Sequence, residues 1–129
     1  MRSIFVFGSN LKGIHGKGAA YTAKMRYGAI QGVGHGIQGD SYAIPTKNAP
    51  YSTLNLETID KYVQIFKEFA REHPETVFNV TRIGCGLAGY QDESIAPMFK
   101  GAPENCLLPP SWRAINGEKS LRAPFVKAV

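Results

Sequence analysis

The stretch that decides the fold is IFVFGSNLKGIHGKGAAYTAKM, residues 4–25. Its first four residues are all apolar, which is typical of a strand covered on both faces. Gly8 ends this run, and a glycine-rich loop then leads into a helix-forming segment. A strand, a loop and a helix start in this order direct backbone N–H groups and the positive end of the helix at one place, where an anion is stabilised. The alternative is an ordinary turn that needs glycine for a positive φ.

Glycine remains frequent after this loop. Nine of the fourteen glycines lie between Gly8 and Gly39. Each ordered glycine costs backbone entropy, so turn geometry alone does not account for so many. Four of them fall in eight residues, from Gly32 to Gly39, and this density excludes a regular helix. We therefore predict a loop or a loosely paired segment over residues 29–40, with His35 in its middle.

Length and composition indicate an ordinary globular protein. At 129 residues the chain is expected to form one domain, residues 1–129, and 43% of its residues are hydrophobic. No apolar stretch reaches the roughly 18 residues of a membrane span, and the amino end resembles a first strand rather than a signal peptide. Cys85 and Cys106 lack metal-ligand spacing. We expect a cytoplasmic protein with no membrane partner, no cofactor and no metal.

The formal net charge of +5 comes from fifteen basic and ten acidic residues. This balance suits an anionic ligand or a weak contact with nucleic acid. It is also common in small proteins that bind neither. Charge alone therefore decides little about function.

The remaining elements follow from hydrophobic periodicity and from turn residues. A helix over residues 17–27 should end at Gly28, and a strand over residues 41–46 contains Pro45, which predicts a sheet edge or a strand end. Asn55 is expected to cap the longest helix, whose apolar stripe should stop at the dipeptide His73-Pro74. The stripe consists of Ile59, Val63, Phe66 and Ala70, and it is expected to be widened by Tyr62, Ile65 and Phe69.

The second half of the chain repeats the pattern of strand, glycine loop and helix. A strand over residues 77–83 runs into the glycine cluster of residues 84–90. Asp92 is expected to cap a short helix, and residues 105–108 form a further strand. A last strand near Phe125 is a weaker prediction, since the end of the sequence has no clear periodicity.

Alternating strands and helices predict a three-layer α/β/α fold with a mostly parallel central sheet. In such sheets ligands bind at the carboxyl ends of the strands, and both glycine loops leave strands at those ends. The loops should converge on one crevice. The chain has no GxxxxGK[ST] motif, and Gly13, Gly16 and Gly18 do not follow the spacing GxGxxG. ATPase and hydride-transfer activities are therefore disfavoured.

Two segments resemble the ligand loops of macrodomains, the proteins that bind ADP-ribose. They are NLKGIHGKGAA, residues 10–20, and RIGCGLAGYQDESI, residues 82–95. The resemblance is strongest to the branch that includes the terminal ADP-ribose glycohydrolase. FGSN, SYAIPTK and IGCGLAGY together are also similar to a family of small bacterial and phage proteins. The resemblance implies a macrodomain-like fold that binds ADP-ribose or an ADP-ribosylated macromolecule.

The same resemblance implies a set of site residues. Asn10 would lie near the distal ribose, the second glycine loop would surround the diphosphate with N–H groups, and Tyr90 would close over the ribose. Trp112 would stack on the adenine or, alternatively, cover the core. The implied ligand-binding residues are Ser9, Asn10, Gly13, Gly16, Gly18, Gly84, Cys85, Gly86, Leu87, Ala88, Gly89, Tyr90 and Trp112.

One departure from the family concerns catalysis. The glycohydrolase has a catalytic Asp directly after the GCGL segment, where this chain has Ala88. An ADP-ribosyl hydrolase would need another base, and the candidates are Asn10, His15, His35 and Asp40. His15 has the alternative role of hydrogen-bonding the loop. Binding is thus favoured over hydrolysis.

A rival hypothesis from another class is a phage or bacterial accessory protein that contacts nucleic acid. In that hypothesis the basic residues contact phosphates and the glycine loops are scaffold. Affinity that falls steeply with salt, without a response to small nucleotides, would favour it.

Overall fold

The computed structural model describes residues 2–49 and 51–117. This part of the chain is a mixed α/β structure with a six-stranded, mostly parallel sheet and four α-helices. The strands are β1 (Arg2–Asn10), β2 (Gly36–Gln38), β3 (Ser41–Ala49), β4 (Ser52–Thr53), β5 (Thr76–Val80) and β6 (Cys106–Leu107). The helices are α1 (Gly18–Arg26), α2 (Leu56–Arg71), α3 (Asp92–Ile95) and α4 (Pro110–Ile115), with a 3-10 turn over Ala96–Phe99.

The strand order is β2-β3-β1-β5-β6, and β4 pairs with β3 outside this path. β1 lies at the centre and runs parallel to both β3 and β5, while β6 runs parallel to β5. β2 and β4 run antiparallel to β3. The carboxyl ends of β1, β3 and β5 consequently lie along one edge of the sheet, which we call the carboxyl edge.

The side chains of β1 alternate between two apolar clusters. Ile4 and Val6 belong to the larger cluster, which includes Phe66 of α2. Phe7 belongs to a smaller cluster with Ala23 of α1. Because successive strand residues point to opposite faces, α2 and α1 pack on opposite faces of the sheet. This confirms the prediction that the first strand is covered on both faces.

Helix α2 begins and ends where the sequence predicts. The Asn55 side chain accepts a hydrogen bond from the Thr58 N–H at 2.9 Å, and the helix ends at Arg71, just before His73-Pro74. The four central residues of the predicted stripe have no exposed surface; they are Ile59, Val63, Phe66 and Ala70. Tyr62 and Phe69 pack against the core as expected, but Ile65 is 49% exposed, so the stripe is narrower than predicted. The cap and the apolar periodicity are local signals, and they suffice for this helix.

Two predictions about β3 need correction. β3 lies between β1 and β2, so Pro45 is not on an edge strand. The strand also continues four residues beyond it, to Ala49. Proline is accommodated because the pairing with β2 ends at Ala43, so no ladder bond to β2 is lost at residue 45.

Other boundaries differ in the second half of the chain. Gln91, not Asp92, holds the cap position of α3, and the Asp92 carboxylate bonds elsewhere. Helix α4 was not predicted, because the sequence after Pro110 has no clear periodicity. The strand predicted near Phe125 lies outside the described residues. Strand β5 is shorter than predicted, since the chain leaves the sheet after Val80 to begin the second glycine loop.

Candidate functional site

Two glycine loops lie side by side at the carboxyl edge. Loop 1, residues 11–17, joins β1 to α1, and loop 2, residues 81–91, joins β5 to α3. A Cβ atom built on Gly18 would lie 3.6 Å from Cδ1 of Leu87, and one on Gly8 would lie 3.5 Å from the nitrogen of Gly84. Neighbouring parallel strands thus bring the two loops into contact distance of each other.

Asn10 closes loop 1 with its own side chain. Its Oδ1 accepts from the Ile14 N–H at 3.0 Å, and its Nδ2 donates to the Ile14 carbonyl at 2.9 Å. The neighbouring Ser9 hydroxyl donates to the Gly34 carbonyl at 2.9 Å. Both residues are buried. Their polar atoms therefore hold the loop in place, and both residues lie beneath its surface.

His15 attaches loop 1 to the segment that precedes β2. The imidazole has no exposed surface, its Nε2 lies 3.0 Å from the Val33 carbonyl, and its ring packs edge-on against Phe7. Its backbone N–H donates to Oε1 of Gln31 at 3.2 Å. These contacts suit the role of holding the loop in place, which is the alternative to that of a catalytic base.

Two glycines let loop 1 approach this segment closely. Gly13 has a φ of +70°, and a Cβ there would lie closer than 3.0 Å to the Gly32 backbone. A Cβ on Gly34 would overlap the Asn10 carbonyl oxygen. These glycines are explained by backbone packing and require no ligand.

Loop 2 is compact at its base and exposed at its tip. Gly84 has a φ of +78° and lies under Ile95, and its carbonyl accepts from the Tyr90 N–H at 2.8 Å. The Tyr90 hydroxyl donates to the Leu54 carbonyl at 2.7 Å, which fixes the end of the loop. Leu87, at the tip, is 64% exposed.

The tip also contacts the β3–β4 hairpin. The Thr53 hydroxyl donates to the carbonyl of Ala88 at 3.2 Å. Gly89 beside it has a φ of +85°, so this glycine meets a backbone requirement.

Gly16 and Gly86 differ from the other twelve glycines. Each has a φ outside the left-handed range, and a Cβ built on either meets no heavy atom within 4 Å. Both residues are exposed, and each belongs to one of the two loops. Within the described part of the chain, nothing at these two positions requires the absence of a side chain.

Backbone donors are free at the same edge. The N–H groups of residues 86–88 find no acceptor among the described residues. The first three N–H groups of α1, residues 18–20, are also without one, since the cap residue Lys17 makes no side-chain cap bond and the first turn holds no acidic residue. Uncapped donors at a helix start and in a glycine loop are favourable positions for an anion.

The loops carry cations and no carboxylates. Residues 8–18 contain Lys12 and Lys17 and no acidic residue, and residues 81–91 contain Arg82 and no acidic residue. Both lysines are exposed. The electrostatic environment of the loops therefore favours a negatively charged ligand.

No family model, curated protein or solved structure matches the chain. The resemblance to macrodomains therefore stays a prediction from the two loop motifs. Among the described residues there is no group of three or more His, Cys, Asp and Glu side chains that could hold a metal ion. None of the described helices is long and apolar enough to cross a membrane.

A cluster around Asp92 ties the two ends of loop 2 together. Both of its carboxylate oxygens accept from the Arg82 guanidinium, at 2.9 and 3.0 Å, and Oδ1 also accepts from the Trp112 indole at 2.7 Å. The hydrogen bonds from Arg82 and Trp112 lower the pKa of Asp92 to about 2. The carboxylate is therefore ionised at neutral pH and already engaged on both oxygens.

Two predicted ligand residues are part of this cluster. Trp112 has no exposed surface and packs against Phe99, with ring centroids 5.1 Å apart. Of the two roles considered for it, stacking on adenine and covering the core, this position fits the second. Burial, followed by a hydrogen bond with Asp92, raises the pKa of the Cys85 thiol to about 11. Cys85 is consequently a neutral thiol at pH 7 and a poor nucleophile.

The other candidate bases, Asp40 and His35, are each engaged in contacts outside loops 1 and 2. Asp40 is in the turn between β2 and β3, at the edge opposite the carboxyl edge, where it pairs with Arg2 at 3.3 Å. The His35 ring packs against Tyr62 of α2 at a centroid distance of 4.8 Å, and burial lowers its pKa. Asp40 therefore lies at the opposite end of the strands from loops 1 and 2, and the His35 ring is engaged with α2.

Sequence reasoning missed the roles of Arg82, Asp92 and Thr53 in holding loop 2. A signal for the first pair was present, since opposite charges ten residues apart flank the glycine cluster. The partner of Asp92 on α4 was not accessible, because nothing local in the sequence relates residue 92 to residue 112.

Two surface cavities lie elsewhere among the described residues. One, of about 470 Å³, lies between α2 and the 3-10 turn, and the other, of about 330 Å³, lies beside β5 and β6. Arg82 lines the second cavity, but Gly16 and Gly86 line neither. The loop tips instead present an open surface.

Proposed function

We propose that loops 1 and 2 form a cradle for the diphosphate of a nucleotide, and that the chain binds ADP-ribose or a related ADP-ribosyl or NAD-derived nucleotide. The observation that carries this proposal is the pair Gly16 and Gly86. The described fold would accept a side chain at both positions, so the fold alone does not explain why they are glycine. A glycine in an exposed loop leaves the backbone open to the close approach of phosphate oxygens.

The free donors around these glycines support a ligand with two anionic groups. One set is the N–H groups of residues 86–88, and the other is the N–H groups at the start of α1. Lys12 and Lys17 add positive charge on the side of loop 1. Two donor sets on adjacent loops suit the two phosphates of a diphosphate.

The choice of ADP-ribose among diphosphate nucleotides rests on the macrodomain resemblance of the two loop motifs. The packing of α1 and α2 on opposite faces of the mostly parallel sheet is compatible with it. We accordingly propose the three-layer, macrodomain-like arrangement as the family fold of this chain. An ADP-ribosylated macromolecule would present the same diphosphate to the cradle.

Binding is favoured over hydrolysis because neither loop holds a carboxylate that is free to act as a base. Ala88 occupies the position of the glycohydrolase aspartate, and Asp92 is bonded to Arg82 and Trp112. His15 is enclosed and Asp40 lies at the far edge of the sheet. Release of free ADP-ribose from a modified protein or DNA, catalysed by the purified chain, would overturn this preference.

Isothermal calorimetry with ADP-ribose, NAD and ADP tests the proposal. We expect saturable binding of ADP-ribose by the unmodified chain and an affinity at least tenfold lower for Gly86→Val and for Gly16→Val. Both substitutions fit the fold, because the two positions have ordinary φ values and open surroundings. Ser3→Val, at the exposed start of β1 and far from the loops, is the matched control and should bind normally.

Two results would contradict the proposal. The first is the absence of binding to all three nucleotides at millimolar concentration. The second is an unchanged affinity for ADP-ribose in a folded Gly86→Val protein. Circular dichroism and a thermal melt of each variant separate a lost site from a lost fold.

A further inference from the structure

The excess positive charge of this chain comes from its first 39 residues. Residues 1–39 contain five basic residues and no acidic one, whereas the remaining ninety residues contain ten of each. The excess of +5 is therefore contributed by the part of the chain that forms β1, loop 1, α1 and β2. The five cations are Arg2, Lys12, Lys17, Lys24 and Arg26.

The cap residue of α1 and two residues of the helix form a stripe of alternating cation and aromatic ring. Lys17, Tyr21 and Lys24 are spaced by four and three residues, so they lie on one side of the helix. Tyr21 is 46% exposed, and the Lys24 ammonium lies 5.8 Å from its ring centroid. Ala20 and Ala23 of the same helix are buried against the sheet, which leaves the stripe at the surface.

The end of α1 extends this surface with a second exposed ring. Tyr27 stacks on Phe5 of β1, with centroids 4.4 Å apart and an interplanar angle of 11°. The stacked pair fixes the orientation of the Tyr27 ring, which remains 36% exposed. Arg26 is also exposed, but it lies two residues from Lys24 and therefore faces another side of the helix.

We propose that this surface, consisting of Lys17, Tyr21, Lys24 and Tyr27, binds single-stranded nucleic acid. The cations would contact phosphates and the two tyrosine rings would stack on bases. Exposed rings between cations favour a single strand over a duplex, since only unpaired bases offer a free face for stacking. The surface shares Lys17 with the cradle, but it requires no ligand there.

Two features argue against other anionic partners. An anionic membrane surface prefers a helix with a wide apolar face, whereas the side of α1 that carries the stripe presents two ammonium groups. A generic polyanion such as inorganic polyphosphate satisfies the cations but leaves Tyr21 and Tyr27 without a stacking partner.

Fluorescence anisotropy with labelled single strands of about 12 nucleotides, as DNA and as RNA, tests the proposal on the full chain. We expect saturable binding at about 50 mM salt, weakened at least tenfold in the double variant Lys17→Gln/Lys24→Gln. Loss of two phosphate contacts should also reduce the slope of log affinity against log salt by about 1.4. Tyr21→Ala should weaken binding about fivefold or more with little change in that slope. Tyr21→Phe keeps the aromatic ring and should therefore bind with the affinity of the unmodified chain.

The matched control is Lys61→Gln/Lys100→Gln, which removes the same charge from exposed lysines of α2 and of the segment after the 3-10 turn. This control should bind like the unmodified chain. Equal weakening in the two double variants would overturn the proposal, because the attraction would then depend on net charge alone. Absence of saturable binding, an unaltered affinity in Tyr21→Ala, or tighter binding to polyphosphate or to phosphatidylserine vesicles than to the oligonucleotides would also overturn it.

Discussion

Substitution of Gly13 by alanine tests how loop 1 is held. Gly13 has a φ of +70°, and a Cβ there would lie 2.8 Å from the Gly32 Cα and closer still to the following peptide. The Gly13 carbonyl also accepts from the Gly32 N–H at 2.8 Å, so the two backbones cannot separate without loss of this bond. Alanine therefore forces either a strained φ or a displacement of the segment before β2.

The magnitude follows from two costs. A left-handed conformation costs a residue with a Cβ roughly 1–2 kcal/mol. Forcing an extra methyl group into a packed region typically costs about 1–3 kcal/mol. We expect Gly13→Ala to lower the free energy of unfolding by roughly 2–5 kcal/mol, a large share of the roughly 5–15 kcal/mol that stabilises a domain.

Gly16→Ala is the matched control in the same loop. Gly16 has an ordinary φ and no neighbour within 4 Å of a Cβ. Alanine restricts the unfolded chain without a clash in the folded one, so stability should be unchanged or raised by up to about 1 kcal/mol.

Urea denaturation monitored by tryptophan fluorescence measures both variants. Trp112 is the one tryptophan in the sequence and is fully buried against Phe99, so its emission reports loss of the core. We expect a lower midpoint for Gly13→Ala with an unchanged slope. Equal midpoints for Gly13→Ala and Gly16→Ala would refute the conclusion that backbone contact at Gly13 holds the loop.

Three further predictions follow from single contacts. Asn55→Ala should cost about 1 kcal/mol of stability, because the Thr58 N–H loses its cap, and Asn55→Ser should restore most of it in the same urea assay. The pKa of Asp92 is lowered to about 2 by Arg82 and Trp112. The ionised carboxylate therefore adds to the free energy of unfolding above about pH 4, the ordinary pKa of an aspartate, and this stabilisation is lost as the pH falls towards 2. In an acid titration, the stability of Asp92→Asn should fall less steeply over this range. Cys85, with its pKa raised to about 11, should react slowly with iodoacetamide at pH 7 and faster above pH 9; fast reaction at pH 7 would contradict the neutral thiol.

The sequence predicted the elements whose signals are local. Helix α2 carries its cap at Asn55, the four central residues of its apolar stripe and its stop within twenty residues, and the structure confirms all three. Helix α4 was missed because Pro109 and Pro110 indicate a break, although proline is favourable in the first turn of a helix. The antiparallel placement of β2 was not specified, since three residues that include Gly36 carry no periodic signal.

Much of the candidate site depends on contacts between distant residues. The sequence located both glycine loops, and the parallel order of β1 and β5 brings them together. It could not separate residues that face the loop surface from those that support it. Asn10 and Ser9 bond beneath loop 1, and Trp112 bonds to Asp92 across twenty residues.

Backbone geometry separates glycines that the fold requires from glycines that it does not, and this distinction cannot be read from composition. Where φ is positive, as at Gly13 and Gly84, alanine would cost more in strain than it gains by restricting the unfolded chain, so glycine is the more stable choice. At Gly16 and Gly86 that strain is absent, and alanine would raise stability by up to about 1 kcal/mol at each position. Folding of the described chain therefore does not favour glycine at these two positions. Both lie in adjacent loops, beside N–H groups that have no acceptor among the described residues, and this supports a ligand that approaches the backbone as the reason for both glycines.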